Sequence, residues 1–395
     1  MNGEDSKGCI SGGTRITIET AKIMREKGYF DFVTLCSKEG MLICKRCGFD
    51  NEFLIWDTTF FPRSSEMLYS FGSLIMPLIL LWKNKRRIKE PDIIVWSQSD
   101  FLFDVFSAFF VKLINKQAVW LASFYLIAPN PFRGYKFYWS KERRISFPRP
   151  RLIIYWITQR LSLAFIKFGA DKLLVANDSD RQRLVSLGVD INKMLPIGGG
   201  IEEKRIDNTP ADKNVNFDAV YMGRMHPQKG ILEIVEIWRT VVEKMPHVKL
   251  AIISDAKNNY AEQVFKKIKD NRLEDNIKIF WYIDFEKKYA FLKSCKLYIT
   301  AEMYHDGGLA MLEAMACGLA TISFDTPAIK AMLPEGRFEV PLNNLEAFSN
   351  AVVTLLQDDS LRKKYSALAK VATKGWDWND KANQIYHFIM NNIER

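Results

Sequence analysis

The chain has 395 residues, 48% of them hydrophobic, which is too long for one ordinary core and apolar enough for two. Its net charge of +10 favours anionic partners, whether nucleic acid, an anionic membrane face or phosphorylated substrates. Six scattered cysteines and the lack of a signal peptide at the recorded start exclude a disulfide-rich secreted module and predict a reducing, cytoplasmic setting.

The first predicted element is a helix over Ile16–Lys27, entered directly from Gly12-Gly13-Thr14. Residues 1–7 are polar and show no strand that would deliver this loop. Either the recorded start is late or the first strand is absent.

Short β-rich runs then alternate with amphipathic helical stretches, a pattern typical of parallel sheets built from βαβ units. The predicted strands of the first half are Asp31–Leu35, Phe53–Trp56, Asp92–Trp96, Ala118–Ser123 and Lys172–Ala176. Helices are predicted over Leu102–Ile114 and Arg151–Phe168. The apolar run Met67–Trp82 holds a glycine and a proline and is shorter than the about 20 residues of a spanning helix, so it predicts a buried or interfacial helix.

Two short motifs resemble metal sites. Cys44-Lys-Arg-Cys47 has the spacing of half a zinc knuckle, but no second pair follows and every histidine is distant in sequence. Asp178-Ser-Asp180 has the Asp-x-Asp pattern of metal-dependent transferases, but it follows a strand and opens a helical pattern, as a helix N-cap does. We therefore expect two ordinary thiols, a helix start and no metal.

The segment Phe132–Phe168 combines basic and aromatic side chains, with one acid, Glu142. Its basic residues are Arg133, Lys136, Lys141, Arg143, Arg144, Arg149, Arg151, Arg160 and Lys167. This composition suits an anionic membrane interface, and it equally suits a basic loop followed by a core helix. Nucleic acid would use the same charge, but no recognition-helix, zinc-finger or RNA-binding motif accompanies it, so we expect no nucleic-acid partner.

Periodicity fails over 204–214, and this polar, proline-containing stretch is the predicted linker. A second alternating series follows, with predicted strands Phe217–Met222, Val248–Ile253, Ile277–Trp281, Leu297–Thr300 and Ala320–Phe324. Two doubly wound α/β domains joined by one linker are the simplest architecture.

The first of two motifs that predict chemistry is the loop Gly223–Gly230, which follows a predicted strand and precedes a helical pattern. This arrangement places Arg224 and Lys229 at the carboxyl edge of a sheet, where open α/β folds bind ligands. The planar fork of arginine and the compact charge of lysine suit a diphosphate. Taken alone, the motif is explained as well by a basic surface turn.

The second motif is the segment His305–Gly318, which reads HDGGLAMLEAMACG and follows another predicted strand. Glycines let a backbone approach phosphates, and the N–H groups of a helix N-terminus hold anions without a side chain. Glu313, about a turn and a half into the helix, is placed to accept hydrogen bonds from ribose hydroxyls. Gly318 is expected to end the helix.

Together the motifs resemble the retaining glycosyltransferases of family 4, whose sugar-nucleotide domain carries Gly-Arg-x4-Lys-Gly and later Glu-x7-Glu within Gly-Phe-Gly-x3-Leu-Glu-Ala-Met-Ala-x-Gly. The matching positions are Gly223, Arg224, Lys229 and Gly230, then Gly308, Leu312, Glu313, Ala314, Met315, Ala316 and Gly318. The resemblance covers about 217–380 and extends more weakly to Gly12-Gly13 and Pro196–Ile201.

The resemblance implies a GT-B fold, in which two Rossmann-like, doubly wound domains face a cleft. Its parts would be an acceptor-side domain 1–203, a linker 204–216, a nucleotide-sugar-binding domain 217–375 and a C-terminal helix within 376–395 that crosses back to the first domain. The implied donor-binding residues are Gly13, Arg224, Lys229, Gly307, Gly308, Leu309 and Glu313.

The implied reaction moves a sugar from a nucleotide-diphosphate sugar to an acceptor hydroxyl with retention of anomeric configuration, without a cofactor or metal. The expected acceptor is a glycan or a lipid-linked molecule. The cysteines predict the cytoplasmic setting, and the segment Phe132–Phe168 predicts an anionic inner membrane face as a further partner.

Two departures lie near the transferred sugar. His305 replaces the first glutamate of Glu-x7-Glu, with Asp306 beside it, and Tyr125 stands where the family often has a histidine. The predicted catalytic residues are therefore His305, Asp306 and Tyr125. A catalytically impaired sugar-nucleotide or glycan-binding relative remains the alternative.

Overall fold

The computed structural model describes residues 10–57, 66–132, 150–254, 258–304 and 308–391, without the side chains of residues 66–70 and 285. Over these residues the chain alternates helices with strands in three parallel sheets. The α/β class predicted from the alternating pattern is thereby confirmed.

The first half forms two of the sheets, with strand orders β1-β2 and β3-β4-β5-β6. The strands are β1 (Val33–Ser37), β2 (Glu52–Trp56), β3 (Ile94–Ser97), β4 (Val119–Phe124), β5 (Lys172–Val175) and β6 (Met194–Pro196). The helices are α1 (Gly12–Glu26), α2 (Lys38–Arg46), α3 (Glu66–Lys83), α4 (Lys85–Ile88), α5 (Leu102–Ile114), α6 (Pro150–Gly169) and α7 (Asp178–Ser186).

The second half forms one six-stranded sheet of order β12-β11-β10-β7-β8-β9. Its strands are β7 (Phe217–Met222), β8 (Leu250–Ile253), β9 (Ile277–Phe280), β10 (Cys295–Thr300), β11 (Ala320–Phe324) and β12 (Phe338–Val340). The helices are α8 (Glu203–Asn208), α9 (Ile231–Lys244), α10 (Asn259–Asp270), α11 (Phe285–Lys293), α12 (Leu309–Ala316), α13 (Pro327–Met332), α14 (Leu345–Gln357), α15 (Asp359–Ala372) and α16 (Trp378–Met390).

The strand order reverses at β7, which lies between β10 on one side and β8 on the other. At such a reversal the connecting helices leave on opposite faces of the sheet and open a crevice beyond the carboxyl ends of the two strands. The core below it is apolar on both faces, as the full burial of Ala219, Val220 and Ile299 shows. The crevice is therefore the position where this topology places a ligand.

The last helix, α16, packs on α1 rather than on the sheet that precedes it. Ile385 and Ile389 share a core cluster with Ile16 and Met24, and Tyr386 stacks on Tyr29 with ring centroids 4.0 Å apart. The predicted division at 203, 216 and 375 stays a prediction. The short helix α8 begins at Glu203 and overlaps the first residues of the segment predicted as linker.

Local patterns predicted several elements to the residue, including α5, β7 and β11. Two three-residue strands, β6 and β12, were not predicted, because they are too short to show a period. Within the described residues no helix is both long and apolar enough to cross a bilayer.

Candidate functional site

The first motif lies in the crevice, in the turn between β7 and α9. Gly230 has φ +65°, and a Cβ there would collide with the carbonyl oxygen of Ala301, just after β10. Only glycine combines this left-handed backbone with so close an approach. The loops that follow β7 and β10 are thus held against each other.

Lys229 in this turn is buried, with a residual exposure of 8%. Its Nζ lies 3.2 Å from Oε1 and 3.3 Å from Oε2 of Glu302, which follows β10. Arg224, at the start of the same turn, is exposed. The predicted pair of cations is therefore present at the crevice, one buried in an ion pair and one on the surface.

The second motif begins at Gly308, which has φ +56° and caps α12. The six consecutive residues 311–316 of α12 are all buried, and Glu313 among them is only 2% exposed. A carboxylate in this setting needs hydrogen-bond donors to offset the cost of leaving water.

Three donors converge on Oε1 of Glu313. Arg15 donates from Nη1 at 2.6 Å, Lys288 from Nζ at 2.6 Å and Tyr289 from its hydroxyl at 3.1 Å. Among the described residues, no donor reaches Oε2. The carboxylate is thus fixed through one oxygen, while the other remains an acceptor.

These contacts shift the acid-base properties of the cluster. Burial alone would raise the pKa of Glu313, but the charges of Arg15 and Lys288 more than offset it, and the pKa falls to about 2. Burial lowers the pKa of Lys288 to about 8, although Glu313 opposes that shift. For Arg15, burial is outweighed by Glu313, and its pKa is raised. Near neutral pH all three groups carry their charges.

The Arg15 contact joins the two halves of the chain, since Arg15 lies on α1 and Glu313 on α12. Glu202 extends the cluster. Its Oε2 lies 3.0 Å from the Tyr289 hydroxyl, whose single proton is shared between Glu202 and Glu313, and 3.9 Å from Arg15 Nη2. Sequence reasoning missed Arg15, Lys288 and Tyr289. The available signal was Glu313 itself, a lone carboxylate in the apolar run LAMLEAMA that must find partners when buried.

On the side of the first half, Gly13 and Tyr125 lie together. An added Cβ on Gly13 would stand 2.9 Å from Cδ2 of Tyr125, so the absence of a side chain lets the ring pack against α1. Burial raises the pKa of Tyr125, which Ser123 opposes only in part, so the phenol stays protonated at neutral pH. It can donate a hydrogen bond but cannot serve as a base in this state.

Leu309, at the start of α12, packs across to the first half. Its side chain contacts the positions of Gly12 and Gly199, where added Cβ atoms would meet it. The Tyr304 hydroxyl donates to the carbonyl of Ile127 and makes a second connection. Among the predicted donor residues, Gly13 and Leu309 are thus brought to the neighbourhood of Glu313, whereas His305, Asp306 and Gly307 lie outside the described residues.

The two motifs that resembled metal sites are a pair of thiols on and beside a helix and the start of another helix. Cys44 lies buried on α2, where burial raises its pKa to about 12, and burial also raises the pKa of Cys47. The predicted helix start at Asp178 is confirmed, although Asn177 is the N-cap, and Asp180 pairs with Arg183 at 3.2 Å. Within the described part of the chain, no group of three potential ligands could hold a metal ion.

This fold is that of the GT-B glycosyltransferases, with parallel sheets in both halves and the two motifs at the strand reversal. Residues 202–372 match the family model of glycosyl transferases group 1. This match lies over the second half of the chain, where the motifs predicted a glycosyltransferase, and it confirms that class.

Solved structures with the same fold include Anabaena HepE in complex with UDP and glucose, at 14% identity and a TM-score of 0.75, with 98% of each chain covered. Sucrose-phosphate synthase from Thermosynechococcus elongatus is similar with a TM-score of 0.66 at 16% identity, over 87% of this chain and 83% of that one.

Among curated proteins, the phosphatidyl-myo-inositol mannosyltransferase of Mycobacterium tuberculosis (strain H37Rv) is 24% identical over 225 residues, 54% of this chain and 57% of the relative. The poly(glycerol-phosphate) alpha-glucosyltransferase of Bacillus subtilis is 26% identical over 171 residues, 42% of this chain and 24% of the relative. The match to this chain thus spans little more than half the length of the mycobacterial relative.

Proposed function

We propose that this protein is a glycosyltransferase that moves a sugar from a nucleotide-diphosphate sugar to an acceptor hydroxyl with retention of configuration. The observation that carries the proposal is Glu313, a buried carboxylate held by Oε1 at the strand reversal with Oε2 left as an acceptor for ribose. HepE, whose fold is similar, is known in complex with UDP and glucose, which supports a nucleotide-sugar donor.

In this proposal the leaving diphosphate lies between the β7–α9 turn and the N-terminus of α12. Arg224 and Lys229 would balance the charge that develops on it, and the backbone N–H groups beginning at Gly308 would donate hydrogen bonds. The Glu302 carboxylate holds Lys229 in place before the donor arrives. The departing phosphate would take the acceptor proton, so that a protonated Tyr125 is compatible with turnover.

The acceptor is proposed to be a glycan or a lipid-linked molecule, with the enzyme peripheral to an anionic membrane. Two relatives named above, a phosphatidyl-myo-inositol mannosyltransferase and a poly(glycerol-phosphate) alpha-glucosyltransferase, support an anionic acceptor of this kind. Residues 133–149 of the predicted membrane segment Phe132–Phe168 lie outside the described residues. From residue 150 onward the segment forms helix α6.

The experiment that tests the proposal screens UDP-, GDP- and ADP-sugars by thermal shift, because a ligand that binds only the folded state raises the melting temperature. Nucleotide release is then measured with and without candidate acceptors, and the anomeric configuration of the product is read by NMR. Stabilisation by a nucleotide sugar without any release would favour the alternative, a non-catalytic sugar-nucleotide binder. No stabilisation by any of them would contradict the proposal.

A further inference from the structure

Helix α6 carries an apolar stripe on its exposed face. The residues of this stripe are Ile154, Ile157, Leu161, Ala164 and Phe168, spaced three and four apart, so they lie on one side of the helix. All five are exposed, and the four larger ones range from Ile157 at 47% to Phe168 at 83%. The opposite side of α6, with Gln159, Leu163 and Ile166, is buried. An ordinary amphipathic surface helix instead has polar residues on the side that faces solvent.

Basic side chains flank this stripe, and α6 contains no acidic residue. Arg160 lies beside the stripe with its guanidinium 5.3 Å from the ring centroid of Trp156. Lys167 lies near the far end and donates to the carbonyl of Leu187 at 2.9 Å. Arg151 stands exposed in the first turn. The stripe is thus an apolar surface bordered by positive charge.

An open groove runs along the same helix. It has a volume of about 500 Å³ and is lined by Arg160, Leu163, Ala164, Lys167, Phe168 and Leu187. Its walls combine apolar groups with two cations, which is the chemistry that a lipid headgroup and the first part of its acyl chain would meet.

The neighbouring helices also expose apolar side chains. Helix α5 packs against both α6 and α3, and Phe109 on α5 lies 6.2 Å from the Phe168 ring. Helix α3 exposes Phe71, Ile79 and Trp82, and Lys85 lies 4.4 Å from the Trp82 ring. The α6 stripe itself is continuous along one side of its helix, and a continuous exposed apolar surface marks an interaction site.

We propose that the α6 stripe and its groove bind the surface of an anionic lipid bilayer. The stripe is about 21 Å long at 1.5 Å per residue, and it would lie in the plane of the interface with its apolar groups at the acyl boundary. Arg151, Arg160 and Lys167 would contact the headgroups. Two copies of α6 facing each other would instead bring these like charges together, which disfavours a homodimer here. The proposal rests on the membrane-borne acceptor proposed above and names the surface that reaches it.

The test compares the 395-residue chain with its triple variant Ile154→Ser, Leu161→Ser, Phe168→Ser. Vesicles of phosphatidylcholine alone and of an equimolar mixture with phosphatidylglycerol are used in flotation assays. Wild type should bind the mixed vesicles, and the triple variant should bind them about tenfold or more weakly because three apolar groups no longer leave water. Val371→Ser on α15, where the side chain is 61% exposed, is the matched control and should bind as wild type.

A charge variant separates the electrostatic contribution to vesicle binding from the apolar contribution. Arg160→Gln with Lys167→Gln should weaken binding to the mixed vesicles by about tenfold or more and flatten its salt dependence. Lys266→Gln, an exposed lysine on α10, is its control.

Failure of wild type to bind mixed vesicles, or equal binding by the triple variant, would overturn the proposal. A wild-type dimer that the triple variant splits, with vesicle binding unchanged, would overturn it in favour of a second copy. The nucleotide-sugar thermal shift of each variant is measured in parallel. If vesicle binding follows the stripe while no nucleotide sugar binds, the surface stands and the proposed function fails.

Discussion

Lys229 and Arg224 occupy one turn but have different environments, and this difference determines what each substitution would test. Lys229 is buried against Glu302, so its removal takes a cation from that buried carboxylate as well as from the crevice. Arg224 is exposed, so its removal affects a ligand more directly than it affects the fold.

We predict that Arg224→Ala and Lys229→Ala each weaken binding of the nucleoside diphosphate by about 1.5–3 kcal/mol, the scale of a hydrogen bond to a charged group. Only Lys229→Ala should also lower the melting temperature. Isothermal titration with the nucleotide identified by the thermal-shift screen measures the affinity, and Lys266→Ala serves as a control for loss of surface charge. Unchanged affinity in both variants would contradict the assignment of this turn to the donor.

The lowered pKa of Glu313 predicts that the unfolding free energy depends on pH. Its pKa is about 2 in the folded protein against an ordinary 4.5, so between these values the unfolded chain binds a proton that the folded chain does not. The resulting stabilisation is complete above pH 4.5 and is lost as the pH falls toward 2. Glu313→Gln should therefore make the unfolding free energy less dependent on pH across this window, as urea titrations at about pH 5 and about pH 3 would show.

The same variant should weaken nucleotide binding at neutral pH while the protein stays folded, since the amide keeps one acceptor but loses the charge that ribose hydroxyls meet. Normal affinity in a folded Glu313→Gln protein would assign this residue a purely structural role.

At the scale of elements, the contact between α1 and α12 connects the two halves of the chain at the proposed donor site. Arg15 contributes to that site through Glu313, whose Oε1 it holds at 2.6 Å. It acts in our proposal as a positioning residue, together with Lys288 from α11.

A double-mutant cycle tests this role. Arg15→Ala should weaken nucleotide affinity in the wild-type background by about 1 kcal/mol and have little effect in the Glu313→Gln background, because residues that act through one another are not additive. Glu26→Ala, an exposed position at the end of the same helix, is the control. Equal losses in both backgrounds would mean that Arg15 acts on the ligand independently of Glu313.

For the molecule as a whole, the proposed donor site depends on side-chain cations and backbone amides rather than on a metal. Arg224, Lys229 and the first turn of α12 would together meet the diphosphate, the task that a divalent ion performs in metal-dependent transferases. The net charge of +10 acts over longer distances and favours both the anionic donor and an anionic surface.

Transfer should therefore continue in the presence of EDTA at an unchanged rate. The measurement is nucleotide release with and without chelator, with Mg²⁺ and Mn²⁺ added back. Activity that is lost to EDTA and restored by either ion would contradict this mechanism.

The sequence by itself determined the alternation of strands and helices, the class of the fold and the two motifs at the strand reversal. These are local properties: apolar periodicity and turn residues act over a few positions, which is why α5 and β7 were predicted to the residue. The turns at Gly230 and Gly308 could likewise be predicted from sequence. Each has a left-handed backbone that favours glycine, so the glycine itself signals the turn.

Only the tertiary structure decided which distant groups meet. Glu313 is 298 positions from Arg15, and no local pattern records that α1 would bring an arginine to it. The same holds for the Lys229–Glu302 pair, which depends on the adjacency of β7 and β10. Helix α6 is apolar nearly all round, so its sequence could not show which face packs against α5 and which remains exposed. Packing determines which face of a helix is buried, and the order of strands in the sheet determines which charged residues meet. Both depend on contacts between elements that lie far apart in the chain.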